Sequence, residues 1–293
     1  MGMSVVGVVG AGFMGSGIAE SAAAAGKQVV LYEPDEAPLE RSRNKLAASL
    51  ERTVARGNLS VQDAAALTDL VRYTTRLEDL RSAEVVIEAA VENPAIKGQL
   101  FARMDTSLPD ALFLASNTSS IPIGELAART ERPERVLGLH FFSPVPVMKL
   151  VEVVAALDTS EPTLAAAERF AGEIGKQAIR TRDRSGFVVN ALLVPYLMAA
   201  VRMCEQGFAS REDIDTGMKL GCGHPMGPLE LSDFIGLDVL EAVCESLYQE
   251  FKQPHYAPPP LLKRMVAAGH HGRNTGRGFY DYAPAASVKE ARA

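Results

Sequence analysis

Two residues of this sequence have the types and spacing for acid–base chemistry, His140 and Glu152. His140 follows the apolar run 136–139 and opens His140-Phe141-Phe142-Ser143-Pro144-Val145-Pro146, where two prolines stiffen the turn. Glu152 stands in Leu150-Val151-Glu152-Val153-Val154. Alternate residues of a strand share a face, so Glu152 would lie with Leu150 and Val154. A carboxylate among aliphatics needs a partner, because an unpaired buried charge is costly. A histidine oriented by such a carboxylate is the usual form of a general base. The plainer alternatives are a structural histidine and a half-exposed glutamate on an edge strand.

Supporting candidates are Ser119, in Asn117-Thr118-Ser119-Ser120, and Asn190, the one amide in the apolar stretch 187–201. Ser119 could instead cap a helix, and Asn190 could be a core amide bonded to backbone. Cys222-Gly223-His224 and His270-His271 lack further ligands at compatible spacing, and the latter has no acidic neighbour close by in sequence, so no metal is expected. The absence of a G-x-S-x-G elbow leaves a Ser-His-Asp hydrolase unsupported.

A second chemistry is written near the start. Val5-Val6-Gly7-Val8-Val9 leads into Gly10-Ala11-Gly12-Phe13-Met14-Gly15, a G-x-G-x-x-G motif between a strand pattern and a helix pattern. The first glycine makes a tight turn, the second admits a pyrophosphate, and the third lets helix pack on strand. The helix N-terminus then offers free N–H groups to phosphate. Glu33 ends the second strand pattern about 20 residues on, where an acid holds the adenosine ribose hydroxyls. A carboxylate there would repel a 2′-phosphate, so NAD is expected over NADP, although Arg41 and Arg43 lie further on. Glu92, Asn117, Ser119 and His140 also fall just after strand patterns, where an open parallel sheet gathers its ligand-binding loops.

The elements that must hold these residues alternate strand and helix in the first part of the chain. Strand patterns fall at 5–9, 29–32, 85–87, 112–115, 136–139, 150–154 and 178–181. Helical patterns fall at 13–25, 37–56, 61–69, 94–104 and 162–174. Such alternation predicts an α/β fold with a parallel sheet. After the polar segment 182–186 only helices are expected, at 187–204 (with a kink at Pro195), 212–220, 229–250 and 260–268. The expected organisation is therefore a Rossmann-type NAD-binding domain at 1–184 and an all-helical domain at 185–293, with 283–293 a loose terminus.

Composition narrows the function classes. With 47% hydrophobic and 23% charged residues, the 293-residue chain is a globular protein rather than a disordered one. A net charge of −6 argues against a general nucleic-acid binder. Three cysteines, Cys204, Cys222 and Cys244, indicate no disulfide framework and fit a reducing cytoplasm. No signal peptide is read at the N-terminus, and no apolar run is long enough for a membrane span. The helix at 37–56 places Arg41, Lys45, Arg52 and Arg56 within an arc of roughly 60°, with Ser49 at its edge and Glu40 and Glu51 elsewhere. The stripe reads as four unpaired cations facing an anionic partner, or else as an ordinary solvated face.

Taken together the motifs resemble the L-3-hydroxyacyl-CoA dehydrogenase family in its short stand-alone form. The resemblance is carried by residues 7–15, Val91-Glu92-Asn93, Ser116-Asn117-Thr118-Ser119-Ser120, the block 140–152, His224-Pro225-Met226-Gly227-Pro228-Leu229 and Gly276-Arg277-Gly278-Phe279-Tyr280. It implies oxidation of the 3-hydroxyl of an acyl thioester with NAD, or the reverse, by a dimer joined through its helical domains. It places the base on His140, its partner on Glu152, and substrate-oxygen contacts on Ser119 and Asn190. It places NAD contacts on Gly10, Gly12, Phe13, Met14, Gly15, Glu33, Glu92, Lys97 and Asn117. Acyl-CoA contacts fall on the 37–56 helix at Ser49 and Arg56, and the basic stripe adds Arg52. Two departures stand out: Ser143 and Asn274, where the family usually has Asn and Lys. Other readings are a relative acting on an acyl carrier protein, an L-gulonate-like dehydrogenase, and an NADH-sensing or structural Rossmann protein. The basic stripe argues against the sugar acid, and the joint presence of His140, Glu152, Ser119 and Asn190 against the non-enzyme.

Overall fold

The computed structural model describes residues 2–282; the expected loose tail, 283–293, lies outside the described residues. The chain divides between Phe187 and Val188 into two compact units.

The first unit is built on strands β1 (Val5–Val9), β2 (Gln28–Tyr32), β3 (Val71–Thr74), β4 (Val85–Glu88), β5 (Phe113–Ser116), β6 (Val136–Phe141), β7 (Leu150–Ala155) and β8 (Gln177–Arg182). Helices α1 (Phe13–Ala24), α2 (Glu36–Ala55), α3 (Val61–Asp69), α4 (Pro94–Ser107), α5 (Ile123–Ala127) and α6 (Glu161–Glu173) connect them. The sheet order is β3-β2-β1-β4-β5-β6-β7-β8. The central strands β1, β4 and β5 are mostly apolar and buried along nearly their whole length because both faces are covered. One face buries Val6, Val8, Val85 and Ile87 with Ile18 of α1 and Leu46 of α2. The other buries Val9, Val86 and Leu114 with Phe101 and Met104 of α4.

The strand order reverses direction at β1 and β4, and at such a switch point an open sheet leaves a crevice beyond the strand ends. Glycine loop, 89–93 loop and 117–120 loop all emerge there. The expected all-parallel sheet has one exception, β6 with β7. Their connection, 142–149, is shorter than the dozen or so residues a parallel crossover needs, so the chain turns straight back. That antiparallel register sets His140 directly opposite Glu152. β7 is second from the edge rather than an edge strand, because β8 pairs outside it.

Helix boundaries follow local chemistry. Asn93 caps α4 by accepting the amides of Ala95 and Ile96, and Pro94 occupies the first turn, where a missing N–H does no harm. Ser60 caps α3 on the amide of Asp63.

The second unit comprises α7 (Val189–Glu205), α8 (Arg211–Cys222), α9 (Pro228–Ile235), α10 (Leu237–Phe251) and α11 (Pro260–Ala267) around a core that includes Leu197, Val201, Leu229, Leu240, Leu247 and Phe279. The single helix expected at 229–250 is two. Gly236 takes φ +107°, outside the helical region, and separates α9 from α10. Two buried carboxylates pin the last described loop: Asp233 accepts the amides of Phe279 and Tyr280, and Asp215 accepts those of Leu229 and Glu230 and the Tyr280 hydroxyl. Burial pushes the Asp233 carboxyl up, against the pull of those amides. Among the described residues no helix is long and apolar enough to cross a membrane.

Candidate active site

Each glycine of the β1–α1 loop answers to a different constraint. Gly10 has φ +109°, and a Cβ there would lie 2.6 Å from the Ala89 carbonyl oxygen. A Cβ on Gly15 would lie 1.9 Å from the Gly10 carbonyl oxygen, so only glycine lets α1 approach β1 this closely. A Cβ on Gly12 would meet nothing within 4 Å. The protein itself therefore does not require glycine at position 12; the open space beside it suits a ligand. The first turn of α1 carries no acidic residue, and no side chain caps Gly12. This leaves a helix N-terminus suited to a diphosphate. Glu33, just past β2, accepts the Ala11 amide at 3.0 Å and so holds its carboxylate against the loop. Phe13 projects outward, 59% exposed, with the Lys45 ammonium 3.7 Å above its ring. Met14 packs on the core. The donors and the open cradle fit an NAD diphosphate and ribose.

The acid–base pair lies on β6 and β7. His140 Nδ1 is 2.7 Å from Glu152 Oε2, with Glu152 at 0% exposure and His140 at 6%. The Phe142 ring meets the imidazole edge-on at 4.8 Å, and the Phe187 ring lies at 5.4 Å. With Nδ1–H donating to the carboxylate, Nε2 keeps its lone pair for a proton. Asn117 Oδ1 accepts the Phe141 amide at 3.0 Å, tying the loop after β5 to the strand that carries His140. Ser119, half-buried in that loop, is not a helix cap: α5 starts at Ile123 with Pro122 before it.

Beside this pair stands a second one that sequence reasoning missed. Glu88, the last residue of β4, is fully buried. It accepts the Ala90 amide at 2.7 Å, the Ser116 hydroxyl at 2.6 Å and the Lys97 ammonium at 2.5 Å. Lys97 is 1% exposed and also reaches the Ala90 carbonyl at 3.2 Å and Glu92 at 3.3 Å. The ammonium thus has three oxygen partners for its three protons. Glu92 accepts hydroxyl protons from Thr118 and, at 2.9 Å, from Ser120. Burial would push its carboxyl up, but the Lys97 charge and these hydroxyls outweigh burial and hold it below the usual range. An acid closing the apolar run Val85-Val86-Ile87 was the signal available in the sequence.

The stripe on α2 needs correction. Of its two readings, four unpaired cations or an ordinary solvated face, the first does not hold as stated, because the structure brings an acid from another helix against the stripe. Ser49 Oγ donates to Glu20 Oε1 of α1 at 2.5 Å, and Glu20 attracts both Lys45 and Arg52. Lys45 is half-buried over Phe13, and burial lowers its pKa against the pull of Glu20. Arg41, Arg52 and Arg56 remain exposed. In the second unit Asn190 is half-buried in the first turn of α7. His224 Nδ1 lies 3.1 Å from the Tyr196 hydroxyl. His271, without an acid nearby in sequence, has one in space: Asp238 at 3.7 Å. Ser143 and Asn274 are both exposed.

Comparison with known proteins bears directly on this arrangement. The NAD binding domain of 3-hydroxyacyl-CoA dehydrogenase matches residues 5–184, and the C-terminal domain of the same enzymes matches residues 186–282. A 3-hydroxybutyryl-CoA dehydrogenase of Mycobacterium tuberculosis is 55% identical over 280 residues, 94% of this chain and 98% of its own. The crystal structure of M. tuberculosis FadB2 superposes with a TM-score of 0.94 at 54% identity, covering 97% of this chain and 100% of that one. That of (S)-3-hydroxybutyryl-CoA dehydrogenase from Ralstonia eutropha gives 0.91 at 45% identity, covering 96% and 99%. The chain belongs to the 3-hydroxyacyl-CoA dehydrogenase family, as an NAD-binding oxidoreductase with that family's two domains.

Proposed function

We propose that the chain interconverts a short-chain 3-hydroxyacyl-CoA, of the 3-hydroxybutyryl-CoA kind, and the corresponding 3-ketoacyl-CoA. The observation that carries this is the buried His140–Glu152 pair, with one imidazole nitrogen engaged and the other left for the substrate hydroxyl. NAD, when bound, supplies the hydride acceptor. His140 Nε2 takes the proton of the 3-hydroxyl, and Glu152 stabilises the imidazolium that results. Ser119 and Asn190 are assigned to the substrate oxygen. Gly10, Gly12, Phe13, Met14, Gly15, Glu33, Glu92 and Asn117 are assigned to the cofactor, and buried Lys97 is assigned to it only through the 88–92 loop that it fixes. Ser49, Arg52 and Arg56 are assigned to the CoA phosphates, supported by the exposure of the two arginines on one face of α2.

The relatives' names favour the acyl-CoA substrate. The reading includes a homodimer through the helical domain, supported by the exposed Leu192, Phe208 and Leu220 of the second unit, and a cytoplasmic location; the expected boundary at 184/185 falls three residues before the division between Phe187 and Val188. NADH oxidation followed with acetoacetyl-CoA and with an acetoacetyl carrier protein, and NAD reduction followed with L-gulonate, test the substrate. Turnover is expected with acetoacetyl-CoA, and NADPH should serve at least about tenfold less well, roughly 1.4 kcal/mol. Faster turnover of the carrier protein than of acetoacetyl-CoA would move the assignment to a biosynthetic dehydrogenase. Activity confined to L-gulonate would end the acyl reading. Charge reversal at Arg52 and Arg56 should raise KM for acetoacetyl-CoA with little change in kcat, the signature of losing binding shared by ground and transition states.

A further inference from the structure

The Ser49–Glu20 hydrogen bond sits inside the face assigned to CoA, and it has a consequence for what that face can hold. A serine hydroxyl has one proton to donate. Here the Ser49 proton goes to Glu20, at 2.5 Å. Toward a phosphate, Ser49 then presents only lone pairs. Burial pushes the Glu20 carboxyl up while Ser49, Lys45 and Arg52 pull it down, so the acid sits in the field of the two cations that an anion would otherwise meet unopposed. The carboxylate comes from α1, the helix that begins at the glycine loop, and Lys45 reaches back to that same loop at Phe13. Glu20 is thus held in place by the fold between the two ligand-binding helices rather than swinging free on the surface.

We infer that Glu20 is a specificity-determining residue that weakens recognition of the 3′-phosphate of CoA, so that the chain discriminates little between acyl carriers with and without it. This rests on the assignment of Ser49, Arg52 and Arg56 to CoA. Glu20 touches neither the reacting atoms nor the nicotinamide end of the site; its effect is confined to binding of the carrier. A glutamine at this position keeps the shape, removes the charge, and can donate its own amide proton to Ser49 Oγ. The Ser49 proton is then free to turn toward a phosphate oxygen.

Steady-state kinetics with acetoacetyl-CoA and acetoacetyl-dephospho-CoA, which lacks only the 3′-phosphate, test the inference. The readout is the ratio of their KM values. In the wild type the two KM values should lie within about threefold. Glu20→Gln should lower KM for acetoacetyl-CoA by about fivefold at low salt, on the scale of one charge acting across a wet surface. It should leave KM for the dephospho substrate, KM for NADH and kcat unchanged. The gain should shrink as salt is added. Ser49→Ala should remove part of the gain in the Glu20→Gln background, a coupling that a double-variant cycle measures. An unchanged ratio in Glu20→Gln, with Arg52→Glu/Arg56→Glu still lowering the preference for CoA, overturns the role of Glu20 alone. An unchanged ratio in both variants overturns it together with the placement of CoA on this face.

Discussion

Two buried acid–base pairs face the same edge of the sheet, and they differ in what they leave unused. In His140–Glu152 and in Lys97–Glu88 the carboxylate is fully buried and the base lies within 2.7 Å. The imidazole has two nitrogens and gives one to its partner. The ammonium has three protons and oxygen partners for all of them, Glu88, Ala90 and Glu92. A base with a lone pair to spare can accept a proton from a substrate. A cation with nothing to spare fixes the groups around it. Here those groups are the loop 88–92 and, through Glu92, the hydroxyls of Thr118 and Ser120. In the proposed reaction the first pair would do the chemistry, while the second sets the geometry of the loops around it.

The largest expected effect breaks the first pair. A positioned general base contributes about 10²–10⁴ in rate. His140→Gln should lose about that much kcat, while NADH affinity, measured by fluorescence titration, stays near normal. Glu152→Gln should show a comparable kcat defect with the same unaltered NADH affinity. If His140→Gln kept more than half of wild-type kcat, the reactive pair would have been misassigned.

The second pair should fail differently, in stability first. Lys97→Met leaves Glu88 buried opposite an apolar chain. Removing one partner of a buried pair typically destabilises by about 3–5 kcal/mol. Urea unfolding should show that loss, and the double variant Glu88→Leu/Lys97→Met should recover much of it, since an apolar replacement of both partners is often tolerated. A Lys97→Met protein as stable as the wild type would mean that the ammonium is not the partner Glu88 depends on, and the contrast between the pairs would collapse.

The same contrast explains what the sequence disclosed. His140 and Glu152 could be matched because a strand's period of two and a short rigid turn put them on facing strands; only the antiparallel register, and hence the depth of Glu152, needed the structure. The glycine motif and Glu33 were legible because their spacing within one strand–turn–helix–strand stretch is itself the signal; Gly10 and Gly15 answer to the backbone, Gly12 to open space for a ligand, and Glu33 to the loop amide of Ala11. Glu88 and Glu20 were not. Glu88 ends an apolar strand, and its partners Ser116 and Lys97 come from β5 and α4. Glu20 meets Ser49 across two helices, and arithmetic around α2 alone sees only the charges α2 carries. Strand β3 was overlooked because Val71-Arg72-Tyr73-Thr74 is short and lies at the sheet edge, and only Val71 and Thr74 are buried, which leaves no alternating apolar pattern. The break at Gly236 was one glycine in an otherwise helical pattern, which helices often tolerate.

The smallest expected effect sharpens the comparison at the outer end of the positioning pair. Glu92 is the most exposed partner of Lys97, its side chain 42% accessible, and the most weakly held, at 3.3 Å. Its carboxyl sits below the ordinary value of 4.5, because the Lys97 charge and the Thr118 and Ser120 hydroxyls outweigh burial. A carboxyl whose folded value is depressed stabilises the fold above its unfolded value and loses that contribution as pH falls through the folded one. The stability difference between wild type and Glu92→Gln should therefore be constant from neutral pH down to about 4.5 and shrink below it. Exposure to solvent keeps the difference small, as for other ion pairs at a surface. Paired urea titrations of the two proteins across that range measure it directly. A difference that persisted undiminished well below the carboxylate range would show that Glu92 is held by shape rather than by charge. In that case Lys97 would hold its loop through Glu88 and Ala90 alone.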